Sequence, residues 1–321
     1  MWFHAVRTEE SVRTEESVRA EQPARVVRES PARVKARRLL GTTKEVFSRG
    51  STTVGAVVIV LLLGMAIFAP LIMPENPRGA YQMPRDLSAV AVPPGTEGHP
   101  LGTTRMGGDV LYGIVWGARL SLQLSIYVVA GAMLIGLIVG STAGIVGGKV
   151  DAILMRIVDV FLSIPTLVFP LAIAAVLGPS FANIVVALAV IMWARYARIV
   201  RSQILQVREE DYVDAARAIG DSRFGIIRRD ILPNSFTPVA VQATLDMGHA
   251  VLLGATLAFI GLAVAGQAEW GTLVSEGQAD IIAGRWWTST FPRLMVFLWA
   301  LSFNLVGDGL RDVLDPRTEG R

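Results

Sequence analysis

The sequence predicts an all-α polytopic membrane protein with six transmembrane helices, and three observations carry that expectation. The chain is 52% hydrophobic and only 18% charged, with a mean hydropathy of +0.49, richer in apolar and poorer in charged residues than soluble domains. It holds uncharged runs as long as the roughly 20 helical residues that a hydrocarbon core about 30 Å thick requires. Its Lys and Arg residues fall mostly into segments that would share one side of the membrane.

The first expected span is 54–73, "VGAVVIVLLLGMAIFAPLIM", with Pro70 near its far end. The second, 117–147, rests on the uncharged run 120–148, in which Gly136, Gly140 and Gly144 recur at a spacing that permits close helix packing. The apolar stretch 160–194 is too long for one crossing, and "LGPS" at 177–180 divides it, giving spans 153–177 and 180–206. The fifth span, 236–264, surrounds the apolar run that begins at Met247, and the less hydrophobic sixth, 289–310, contains "FPRLMVFLWALSFNLVGDGL". The first 53 residues are polar and the first apolar run has the length of a full span, so no signal peptide is expected.

With the amino terminus inside, residues 1–53 hold eleven Lys and Arg, Lys149 and Arg156 add two, 195–230 hold eight and the segment after 310 three. The opposite side holds four: Arg78, Arg85, Arg105 and Arg285. A multi-pass protein of the cytoplasmic membrane with both termini cytoplasmic is therefore expected. The net charge of +3 reflects this topology, and no nucleic-acid partner is expected. The tail, 1–50, repeats "VRTEES" at 6–11 and 12–17. Its mixed charge suggests a disordered solvated segment, with an interfacial amphipathic helix over 25–44 as the alternative.

No cysteine is present, and His4, His99 and His249 are widely separated, so no metal site is expected. No catalytic constellation of Ser, His and acid stands out, which argues against a membrane enzyme. The chain also lacks the G-x-x-x-x-G-K-[ST] loop that cradles nucleotide phosphates. Buried polar residues in spans are costly and commonly functional, which makes Asn183, Gln242, Asp246 and Asn304 candidates for a translocation pathway. The polar segment 74–102, rich in Pro and Gly, is expected to stand outside, beside the entrance.

One polar segment is more structured than a connection requires: 208–234, containing "EEDYVDAARAIGDSRFGIIRRDILPN". Asp211 is an expected N-cap with Asp214 three residues on, 212–219 an expected short helix, and Gly220 its terminating glycine. A second helix is expected from Asp221 or Ser222, with Phe224, Ile227 and Ile231 on one side and a stop at Pro233. A two-turn helix is unstable alone in water, so it must pack on something, either its own helix ends or a partner.

Here a resemblance enters. Asp214-Ala215-Ala216, then Gly220, then Ile231-Leu232-Pro233 resembles the EAA motif of ABC-importer permeases, with Asp standing where the motif has Glu. The stretches 99–122, 257–262 with Trp270-Gly271, and 303–317 are similar to dipeptide and oligopeptide importer permeases of the DppC and OppC type. Gly108 departs from that family, which has an arginine there. The resemblance implies a type I ABC importer permease fold over 51–317 and a transmembrane subunit that is not itself an enzyme. The implied partners are a second, homologous permease, two ATP-binding subunits, an extracytoplasmic substrate-binding protein and the lipid membrane. No cofactor is implied in this chain; ATP and Mg would belong to the partner subunits. The loop would be the coupling helix, with Asp214, Ala215, Ala216, Gly220, Leu232 and Pro233 at the ATPase contact. The implied cargo is peptide, with oligosaccharides or nickel complexes as the alternative. A secondary transporter, which would show central ionisable residues and an inverted repeat, is the competing class.

Overall fold

In hydrocarbon every backbone N–H and C=O has to be satisfied within the chain, so uncharged runs of this length fold as helices. A computed structural model describes residues 50–262 and 266–314. The expected tail, apart from Gly50, lies outside the described residues.

Helix α1, Gly50–Ile67, breaks at Phe68, and Pro70 sits in the opening turn of the short α2, Ala69–Ile72. Helix α3, Val110–Val146, begins before the expected residue 117. Asp109 extends it, accepting the Tyr112 backbone N–H at 2.8 Å as an N-cap. The expected span 153–177 is not one rod. Helix α4, Gly148–Ser163, is bent by 84° from α5, Val168–Leu177. Pro165 lies in the break, and the residue before it, Ile164, is pushed out of helical geometry to φ −80° and ψ 130°. Gly178, at φ +82°, turns the chain into α6, Phe181–Val207.

The loop helix α7, Asp211–Ala218, is followed by α8, Arg223–Ile226, a π turn over Ile227–Ile231, and α9, Leu232–Ser235. Helix α10, Thr237–Leu257, runs into a second π turn, Ala258–Leu262, which bends at Gly261. Beyond it come α11, Trp270–Glu276, α12, Gln278–Ile282, and the long α13, Trp287–Leu314. Five helical segments are long and apolar enough to cross a membrane, or six when the bent α4–α5 pair counts as one span. Among the described residues only isolated β-bridges occur, such as Gln82–Gln267.

The most extensive helix pair is α3 with α6. Its closeness depends on the glycines: a Cβ on Gly140 would stand 2.5 Å from the Ala197 carbonyl oxygen, and one on Gly144 2.9 Å from Ile204. A second cluster joins α1, α10 and α13 around Trp270, Trp299 and Phe303. At the end remote from the loop, residues 73–109 are tied down by polar contacts. The Tyr112 hydroxyl donates to the Ala80 carbonyl at 2.7 Å, Trp287 Nε1 donates to the Thr103 carbonyl at 3.2 Å, and His99 Nδ1 lies 2.7 Å from Asp109 Oδ2.

Candidate functional site

The loop helix is built by its two ends. Glu210, extended at φ −78° and ψ 141°, is the N-cap rather than Asp211. Asp211 instead occupies the first turn with Asp214, where their charge complements the helix dipole. At the other end Gly220 adopts φ +87°. Its N–H donates to the Arg217 carbonyl and that of Asp221 to Ala216, both at 3.1 Å, closing a Schellman motif.

The helix has two unlike sides. Val213 is fully buried, and Ala216 is half-buried against the core formed by α3 and α6. Tyr212, Asp214, Ala215 and Ile219 face away, with Ile219 81% exposed. Asp214 pairs with Arg217 at 2.6 Å on the exposed surface. Of the two motif alanines, then, Ala216 serves the chain's own packing and Ala215 is free to meet something else.

The return segment departs from expectation in register. Ser222 caps α8, accepting the Gly225 N–H at 3.1 Å. In the π turn the Leu232 N–H reaches back to Ile227, and this inserted residue rotates the following face. Ile226 and Ile231, five residues apart, therefore share the buried face, while Phe224, expected on the same side as Ile231, is 73% exposed. Pro233 does not end the helix, because it lies in the first turn of α9, where a missing N–H leaves no bond unmade. Leu232 and Pro233 are exposed, and Asn234 joins the two limbs by donating to the Tyr212 hydroxyl at 3.2 Å.

A second group lies inside the spans. Arg195, Arg198 and Arg201 belong to α6 rather than to the loop, and each meets an aspartate of another helix: Asp246 of α10, then Asp159 and Asp151 of α4. The eight basic residues assigned to 195–230 thus include one well within a span. Arg195 Nη1 is 3.4 Å from Asp246 Oδ1, and Gln242 Nε2 donates to the same oxygen at 3.0 Å. The other Asp246 oxygen and the Tyr196 hydroxyl are buried without a hydrogen bond. His249 lies one turn further along α10, close enough to Asp246 to interact electrostatically.

Of the pathway candidates, the structure brings together Gln242 and Asp246. Asn183 donates to the Leu177 and Gly178 carbonyls, at 2.9 and 3.0 Å, and closes the α5–α6 turn. Asn304 donates to the Ala300 carbonyl of its own helix at 2.7 Å. Arg195, Tyr196 and His249 were not singled out by the sequence. The available signal was positional: Arg195 and Asp246 stand at nearly equal separations from the two ends of the loop, so the two helices flanking it bring them level. Among the described residues no three His, Cys, Asp or Glu are placed to hold a metal ion.

A helical chain with up to six candidate spans and a capped helix between two of them is laid out as a polytopic membrane protein. Residues 132–320 match the binding-protein-dependent transport system inner membrane components, and the chain belongs to that family, the permeases of ABC transporters. It is 43% identical to the probable D,D-dipeptide transport system permease protein DdpC of Escherichia coli (strain K12), over 84% of this chain and 89% of that protein. It is 40% identical to the dipeptide transport system permease protein DppC of Alkalihalophilus pseudofirmus, over 82% and 85% of the two chains. In fold it is similar to a chain of the MetNI methionine ABC transporter in an inward-facing conformation, with a TM-score of 0.53 and 20% identity, over 64% of this chain and 97% of that one.

Proposed function

We propose that this chain is the permease subunit of an ATP-driven importer that carries dipeptides and oligopeptides across the cytoplasmic membrane by alternating access. The observation that carries the reading is the 43% identity, across most of both chains, to a protein named for D,D-dipeptide transport. In the working complex the chain pairs with a second, homologous permease, receives cargo from an extracytoplasmic binding protein, and is driven by two ATP-binding subunits. ATP and Mg are bound by those subunits, and this chain holds no cofactor. Helix α7 is the coupling element. Asp214, Ala215, Gly220, Leu232 and Pro233 lie on or beside its exposed side, while Ala216 and Val213 anchor it to the spans. Exposed Ile219, Phe224 and Leu232 support this, because apolar side chains gathered around a projecting helix mark a docking surface. Both termini and the loop lie in the cytoplasm, as the one-sided basic residues suggest.

The test is uptake by the complete complex in proteoliposomes. With ATP and loaded binding protein present, labelled dipeptides should accumulate, and an oligosaccharide or a nickel complex should not. Accumulation of either alternative cargo without peptide would overturn the substrate reading. Because the chain contains no cysteine, single replacements report orientation cleanly. Glu97→Cys should react with an impermeant thiol reagent from outside and Ser222→Cys should not; the reverse pattern would overturn the topology.

A further inference from the structure

An arginine inside a span is costly and needs a reason. At 1.5 Å per residue, Arg195 lies about 21 Å along α6 from Phe181, well within a crossing. Its one hydrogen bond among the described residues is the 3.4 Å contact to Asp246 Oδ1. A guanidinium carries five N–H donors in a planar fork suited to carboxylates, so most of its capacity is unspent. The counter-ion is held from behind: Asp246 is 1% exposed and fixed by Gln242, whereas the Arg195 side chain is 44% exposed.

On α6, Ile199, Ser202 and Gln206 continue the same face toward the loop, because residues at these spacings align along a helix. Those residues, with Asn234 and Gln242 across the gap and Arg311 of α13, line an open cavity of about 660 Å³ between α6, α10 and the end of α13, and Arg195 stands one helical turn beyond Ile199 at its edge. Its walls mix hydroxyl and amide groups with Val241, Leu245 and Leu314, so it can hold water or a polar solute. Gln242 belongs to both assemblies: it lines the cavity and holds the carboxylate that positions Arg195.

We infer that Arg195 is an anion subsite of the translocation pathway, which receives the carboxyl-terminal carboxylate of a peptide in transit while Asp246 and Gln242 hold the guanidinium in place. The inference rests on the peptide reading above for its cargo. A guanidinium beside this cavity, whose lining also holds Arg311, contacts one terminus and leaves the side chains of the peptide unread, which suits a pathway for varied sequences. Asp246 acts as a positioning residue, and the unpaired Tyr196 hydroxyl beside it is a ready donor to its second oxygen.

The experiment compares dialanine with its carboxyl-terminal amide in proteoliposomes containing the complete complex, each at a concentration that saturates the binding protein. The wild type should import the acid faster than the amide. Arg195→Gln should lower the maximal rate for the acid about tenfold, the worth of one charge-assisted hydrogen bond, and bring the acid-to-amide ratio toward one. Arg195→Lys, which keeps a charge but not the fork, should restore part of the preference. A double variant, Arg195→Gln with Asp246→Asn, removes the pair without leaving a lone buried carboxylate and should also lose the preference. An unchanged acid rate in either glutamine variant would overturn the inference. So would an equal fall for acid and amide, which is the mark of a purely structural pair. Failure of the peptide reading appears separately, as a wild-type complex that imports neither compound.

Discussion

Helix α6 meets its neighbours through two unlike faces. Toward α3 it presents Tyr196, Ala197, Val200 and Ile204, pressed onto Gly136, Gly140 and Gly144 so closely that side chains in their place would overlap backbone. Toward α10 it presents Ser202 and Gln206 across an open cavity, with Arg195 one turn beyond it in a long ion pair to Asp246. The first interface is a fitted joint with a single arrangement, since close-packed surfaces do not deform continuously. The second is polar and loosely bonded, so water or a solute can replace its contacts at modest cost. One helix thus fixes α3 and α6 together through close packing, while α10, whose Val239, Ala250 and Leu253 share their apolar core, meets α6 through the polar face as well.

The largest expected effect comes from breaking the fitted joint. Gly140→Leu places a Cβ against the Ala197 carbonyl, where the backbone has nowhere to go. The chain should lose about 3 kcal/mol or more of stability and fail to yield a folded complex. Ser202→Leu, on the open face, should leave the thermal midpoint nearly unchanged, by about 0.5 kcal/mol or less. The yield of folded complex, and the thermal midpoint of whatever complex is recovered, decide it. Equal losses for the two variants would mean that the faces do not differ in the way described.

The next effect falls on transport with the fold intact, and it contrasts the two sides of α7. Ala215→Arg alters the exposed side and should leave insertion and thermal midpoint alone, yet abolish uptake and reduce the ATPase subunits retained in purification. Ala216→Arg forces a charge toward the core and should destabilise the loop as well. If Ala215→Arg transports normally with its ATPase subunits bound, the exposed side of α7 is not the docking face.

These contrasts also mark what the sequence could reveal. The helices were legible because uncharged runs of spanning length have few alternatives in a membrane, and Gly220 was legible because a residue at positive φ after a short helix is commonly glycine. The break at Pro165 was equally present in the sequence, but it lies inside an apolar stretch whose hydropathy hides it. The π turn at 227–231 had no comparable signal: a single inserted residue leaves composition untouched while setting Ile226, rather than Ile227, on the buried face with Ile231. Arg195 was obscured by a different logic. Counted with the loop as a topology marker, it looked like one more cytoplasmic charge, and only the level at which α6 and α10 cross shows it facing Asp246.

The smallest effect concerns a third kind of buried polar group, at the end of the bundle opposite the loop. Glu269 is 7% exposed at the start of α11, and its side chain accepts a hydrogen bond from the Thr272 hydroxyl at 3.0 Å, with no ion pair to it among the described residues. Unlike Asp246, it has no cation to favour its charged form, and burial pushes its pKa from an ordinary 4.5 up to about 7. The folded state therefore holds a proton that the unfolded chain has released between these values. The resulting stabilisation is complete below pH 4.5 and is lost as pH rises through about 7. Thermal midpoints of the purified complex should accordingly fall by a few degrees between pH 5.5 and pH 8. Glu269→Gln keeps the shape and removes the titration, so it should flatten that part of the slope and raise the midpoint at pH 8. A Glu269→Gln complex with the full wild-type pH slope would show that this carboxyl is not the group responsible.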